Sequence, residues 1–111
     1  MNKREGCCPV SVTVNLIGGK WKAVILWHLM EQSVLRFNEL SKYVKQATPK
    51  MLTQQLRELE RDGLINRKVY PVVPPKVEYS LTDFGKSMAP ILKSLSAWGE
   101  EYMKELPLTD I

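Results

Sequence analysis

With 111 residues, 44% hydrophobic and 25% charged, the chain has room for one domain around one core and none for a second, catalytic domain. Its 16 Lys and Arg against 12 Asp and Glu leave a formal charge of +4, which admits an anionic partner without demanding one. No stretch reaches the roughly 18 consecutive apolar residues of a membrane span, so no membrane partner is expected.

Lys3 and Arg4 precede an apolar-leaning stretch from residue 10 to 17, but Ser11, Thr13 and Asn15 interrupt it. Gly18-Gly19-Lys20-Trp21 is also a poor cleavage site, so a secretory leader is rejected and a cytoplasmic protein is expected. In a reducing compartment the adjacent Cys7 and Cys8 cannot form a structural disulfide framework. His28 is the sole histidine, which leaves a zinc site short of ligands, so neither metal nor cofactor is expected. Val10, Val12, Val14 and Leu16 alternate with polar residues, as in a strand. Pro9 as a first helical residue, with Val10, Val14 and Ile17 on one face, allows a helix instead, and the pattern leaves both open.

From Lys20 to Met30 the spacing of Trp21, Val24, Ile25 and Leu29 predicts a helix. The Gly18-Gly19-Lys20 before it is a break between helices: the phosphate-loop spacing is absent, and Trp21 stands where a magnesium-binding hydroxyl would be. Arg36-Phe37 suits a short strand, and Asn38 is the expected cap of a brief helix through Val44, with Leu40 and Val44 facing in. Lys45-Gln46-Ala47 then makes a short connection, as between the two helices of a helix-turn-helix.

The next segment carries most of the information. Thr48 is placed as N-cap and Pro49 at the first helical position, where its missing N–H costs nothing. Leu52, Leu56 and Leu59, with Met51 beside them, give one apolar face. Lys50, Thr53, Gln54, Arg57 and Arg61 fall on the opposite face, and Gly63 ends the helix. Two β-rich runs follow, residues 64–70 and 76–81, joined by the proline-dense residues 71–75. Val77, Tyr79 and Leu81 alternate with Lys76, Glu78 and Ser80, so one strand face is buried, while Arg67, Lys68 and Lys76 put charge near the tip. A helix with a basic, amide-bearing exposed face followed by a basic hairpin fits a winged helix-turn-helix that reads DNA.

A last helix, capped by Thr82 or Asp83, carries Phe84, Met88, Ile91, Leu92, Leu95, Trp98, Tyr102 and Leu106, with a bend expected at Pro90 or Gly99. That stripe is too long for one small domain to cover, which points to a second copy of the chain. Two other classes of function compete with DNA reading. A winged helix that binds only protein would not need the polar, basic face of residues 48–61. A thiol enzyme built on Cys8 lacks a nearby base and room for a substrate cleft, so no enzyme is expected.

Cys8-Pro9-Val10, Leu16-Ile17-Gly18-Gly19-Lys20-Trp21, Arg36-Phe37-x-Glu39-Leu40, Lys50-Met51-Leu52-x-x-x-Leu56-x-x-Leu59 and Pro74-Pro75-x-Val77-x-Tyr79-x-Leu81-Thr82 together resemble the HxlR-type transcriptional regulators. The resemblance runs from Cys8 to about Trp98-Gly99. It implies a mainly α fold with a small β-hairpin: a winged helix-turn-helix, similar to the multiple-antibiotic-resistance regulators, with extra N- and C-terminal helices forming a dimer interface. On that basis residues 1–111 are one domain, with the helix-turn-helix at about 38–62, the wing at about 64–81 and dimerisation helices at about 9–17 and 83–106.

The resemblance also assigns roles. Pro49, Lys50, Thr53, Gln54 and Arg57 form the face that meets base edges of a double-stranded operator. Lys68 and Lys76 supply charge from the wing, and Arg36 and the amides near Thr48 anchor phosphates. Val10, Val14, Ile17, Met88, Ile91, Leu92, Leu95, Trp98 and Tyr102 are the expected homodimer contacts. Many members sense oxidants or electrophiles through a cysteine matching Cys8. A thiol at a helix N-terminus, with Lys3 and Arg4 close in sequence, is placed to be held as a thiolate and to react first. Cys7 departs from the pattern, and no resolving cysteine stands elsewhere in the chain. Control by a non-covalent small ligand is the alternative.

Overall fold

The structure is a computed structural model that describes residues 8–106; Cys7, Lys3 and Arg4 lie outside the described residues. In chain order it contains α1 (Pro9–Ile17), α2 (Lys22–Gln32), β1 (Val34–Arg36), α3 (Phe37–Tyr43), α4 (Pro49–Arg61), β2 (Ile65–Tyr70), β3 (Lys76–Leu81), α5 (Asp83–Lys86) and α6 (Ala89–Glu105). The sheet is antiparallel with β3 in the middle, in the order β1-β3-β2.

One core joins these pieces. Ile25, Leu26 and Leu29 of α2, Leu40 of α3, Leu52, Leu56 and Leu59 of α4 and Leu92 of α6 are almost wholly buried. They meet Leu64, Ile65, Tyr79 and Leu81 of the hairpin. Each large aliphatic side chain removed from water adds about 1.5–3 kcal/mol before conformational entropy opposes it. The leucine spacing along α4 therefore fixes which of its faces is turned outward.

Thr48 caps α4 by accepting the Met51 N–H on its hydroxyl at 3.1 Å, and Pro49 opens the helix. Gly63 then takes a φ of +79°, a conformation that costs glycine little, and the chain turns into β2. In β3 Tyr79 and Leu81 point into the core and Val77 is half-buried, as the alternation predicts.

The segment with the strand-like alternation is the helix α1, as the resemblance implies; none of its residues is completely buried, and Leu16 and Ile17 pack partly on the core. Other expectations change. The cap of α3 is Arg36, not Asn38: the Glu39 carboxylate accepts the Arg36 N–H at 2.8 Å, a bond that satisfies a backbone donor otherwise unpaired at the helix start. Phe37 belongs to that helix rather than to β1, and Lys20 and Trp21 precede α2. Met51 is exposed, because it lies beyond the edge of the stripe formed by Leu52, Leu56 and Leu59. The C-terminal helix is divided after α5, whose cap is Thr82, and Pro90 stands in the first turn of α6; Gly99 leaves that helix intact. Met88 and Leu92, assigned to the dimer stripe, are buried in the core of the chain itself, where α6 packs on α2, rather than exposed to solvent.

Candidate nucleic-acid interface

The outward face of α4 is set by the same helical period that buries its leucines. Lys50, Gln54 and Arg57 are exposed and Thr53 is half-buried. Lys50 and Arg57 enter no salt bridge among the described residues, whereas Arg61 is paired with Asp62 at 3.2 Å. The two unpaired cations stand one on each side of Gln54 along the helix.

The hairpin adds charge in two separate places. Register pairs Arg67 with Tyr79, on the face that packs toward the helices, and Lys68 with Glu78, on the outer face. Arg67 thus shares a concavity with Thr53, Arg57 and Glu60, so the charge beside α4 comes from Arg67. Composition alone puts Arg67 no more exactly than near the wing tip. Its phase with Ile65 is the signal that it belongs to the inner face.

Lys68 and Lys76 occupy the outer face, their ammonium groups each 4.9 Å from the centre of the Tyr70 ring. Lys76 also lies 3.3 Å from Glu78, and the Tyr70 hydroxyl donates to the same carboxylate at 2.9 Å. Arg36 faces Glu78 across the β1–β3 register. The Tyr70 hydroxyl, then Lys76 and Arg36, hold the Glu78 carboxyl below the usual carboxylate range. Arg36, Lys68 and Lys76 therefore lie together on the outer face of the sheet around Tyr70 and Glu78, with Lys76 alone in a salt bridge to Glu78, distinct from the α4 group.

Behind α4, Lys22 is 6% exposed and contacts Glu58 at 2.6 Å. Its ammonium, and next the amide of Gln54, keep the Glu58 carboxyl below the ordinary range. A carboxylate with a lowered pKa adds stability above its ordinary pKa and loses it as pH falls through the lowered value. Glu58→Gln is therefore expected to flatten the acid side of the stability profile. Glu58→Ala strands a buried ammonium and is expected to cost about 3–5 kcal/mol in urea unfolding. Lys22→Ala should cost less, because the Glu58 side chain left behind is 24% exposed and water reaches it.

Away from this surface, Cys8 is exposed and is the N-cap of α1, its side chain making no capping bond. Val10 and Val14 of α1 are exposed, while Ile17 packs on the core. On α6, Ile91, Leu95, Trp98 and Tyr102 form an exposed apolar line, and the Trp98 and Tyr102 rings stack with centroids 5.4 Å apart. His28 stacks on Tyr43 at 3.8 Å, and burial pushes its imidazole pKa down. Among the described residues no helix is long and apolar enough to cross a membrane.

This sequence and this architecture have known relatives. Residues 16–107 match the family model of the HxlR-like helix-turn-helix. The HTH-type transcriptional regulator YdeP of Bacillus subtilis is 55% identical over 98 residues, 88% of this chain and 75% of that protein. The redox regulator HypR in its reduced form superposes with a TM-score of 0.84 at 48% identity, over 89% of this chain and 97% of that one. HypR in its oxidised form gives 0.80 at 47% identity, over 94% of this chain and all of that one. These relatives are regulators and not enzymes, and the fold they share with this chain is the winged helix-turn-helix. The chain belongs to the HxlR-like helix-turn-helix family of transcriptional regulators.

Proposed function

We propose that the chain acts in the cytoplasm as a homodimer that binds a two-fold related operator, with α4 in the major groove and the wing on the flanking backbone. The observation that carries this reading is the capped α4, with Lys50, Thr53, Gln54 and Arg57 on its outer face and Arg67 beside them. Gln54 and Arg57 meet base edges, and Thr48, Pro49 and Lys50 set the helix end against a phosphate. Arg36 and Lys68 contact DNA phosphates directly, and Lys76 exchanges Glu78 for one. Val10, Val14, Ile91, Leu95, Trp98 and Tyr102 meet their counterparts in the second copy, with Ile17 behind them. An oxidant or electrophile reacts at the exposed Cys8 and changes operator affinity, a role supported by the likeness to the redox regulator HypR. Cys7 is the adjacent thiol available to resolve or share that modification.

The test is binding to a selected operator and its single-base variants at several salt concentrations. Arg57→Ala or Gln54→Ala is expected to cost about 1–3 kcal/mol and relax preference at one position. Lys76→Ala should weaken all sequences alike and make the salt dependence shallower. A Lys76→Ala protein with altered base preference, or an Arg57→Ala and Gln54→Ala pair with none, would contradict these assignments.

A further inference from the structure

Glu58 divides its two carboxylate oxygens between different elements. Oε1 lies 2.6 Å from the ammonium of the buried Lys22, in the first turn of α2. Oε2 accepts from Nε2 of Gln54 at 2.8 Å, one helical turn earlier on α4. Gln54 is exposed, so its amide is held from behind and open in front.

An ionised carboxylate only accepts hydrogen bonds, so it requires the NH2 side of the amide and turns the carbonyl oxygen away. A glutamine without such a partner flips its amide freely, offering donor or acceptor to the DNA, and loses that freedom on binding. Glu58 alone would be a poor anchor, since a loose carboxylate on a DNA-facing helix is repelled by phosphates. Paired with a buried ammonium it is both neutralised and fixed in place. In the major groove adenine and cytosine present amino donors where guanine and thymine present carbonyl acceptors. A carbonyl turned outward pairs with the first two and opposes the others.

We propose that Glu58, pinned by Lys22, is a positioning residue that fixes the Gln54 amide so that it selects an amino-bearing base, adenine or cytosine, on the strand it faces. This rests on the placement of Gln54 in the reading face. The N–H of Gln54 that Glu58 leaves free remains available to adenine N7.

The experiment uses the full chain and the duplex it retains most strongly from a randomised library, with every single-base variant of that duplex. Single substitutions of Glu58 strand Lys22, so two double variants replace them, each checked for folding by circular dichroism. The apolar double variant, Lys22→Met with Glu58→Leu, substitutes an apolar pair for the ion pair, a change that buried pairs often tolerate. The amide double variant, Lys22→Met with Glu58→Gln, also removes the charges but keeps a carbonyl acceptor for Gln54. Wild type should favour an amino-bearing base at one position by about ten- to hundredfold. Gln54→Ala should erase that preference, the apolar double variant should erase it at the same position only, and the amide double variant should retain most of it. Full preference in the apolar double variant, with Gln54→Ala relaxed, overturns the positioning role while leaving Gln54 a base reader. A Gln54→Ala protein that discriminates as wild type overturns both.

Discussion

Ile91→Glu or Leu95→Glu is expected to turn a two-chain particle into a single chain in sedimentation across micromolar concentrations. Ile91, Leu95 and Trp98 are 42%, 49% and 68% exposed on one side of α6, and with Tyr102 they form an apolar line. A monomeric domain leaves apolar residues scattered on its surface, but an aligned row with a stacked Trp98–Tyr102 pair has the character of an interface. A carboxylate in the middle of that row would have to be desolvated without a partner, so the dimer should come apart. The consequence for DNA binding is larger than that of removing a single base-reading side chain. Two linked reading heads bind the second half-site at a high effective concentration, and uncoupling them removes about 10²–10⁴ in apparent affinity. A wild-type mass of one chain at every concentration would contradict the dimer.

Cys8→Ser is expected to abolish the response of operator affinity to diamide or a quinone, and Cys7→Ser to leave most of it. Cys8 is exposed at the start of α1, with its thiol making no capping bond. An adduct there adds bulk beside Val10 and Val14, which are themselves exposed. In the proposed dimer those residues lie against the second copy, so the adduct is expected to change the angle between subunits and hence the separation of the two α4 helices. Each base-edge hydrogen-bonding pair broken by that mismatch lowers affinity about ten- to hundredfold. A Cys8→Ser protein that still responds fully, or a wild type that never does, would point to a non-covalent inducer instead.

The parts legible in the sequence are those whose pattern and environment agree. Residues 48–63 declare a cap, a period of leucines and a stop, and α4 has all three. The alternation of Val77, Tyr79 and Leu81 is equally direct because a core lies on one side of β3 and solvent on the other. The α1 segment is ambiguous because its inner face is weak: Leu16 and Ile17 pack only partly on the core while Val10 and Val14 stay exposed, so only the family resemblance decides its period. Met88 and Leu92 illustrate a different limit. A helical stripe tells which residues are apolar, but not whether the surface covering them belongs to the same chain. Met88 and Leu92, one turn apart, face the core, while Ile91 and Leu95, one turn apart on the neighbouring face of α6, stay outside.

The proposed reading surface is visible in the sequence as a composition and not as an arrangement. Lys50, Gln54 and Arg57 share a face by helical geometry alone. The pairing of Lys76 with Glu78, and the placement of Arg67 against α4, require the β2–β3 register. The Lys22–Glu58 pair requires the packing of α2 on α4, which no local spacing reports.

Whether α4 reads sequence at all is decided by the affinity of the unmodified protein for its best-retained genomic duplex against a scrambled duplex of equal length and composition. At physiological salt, two α4 helices reading paired half-sites predict binding at least about 10³-fold tighter to the retained duplex. Equal affinity for the two would contradict sequence reading by this chain.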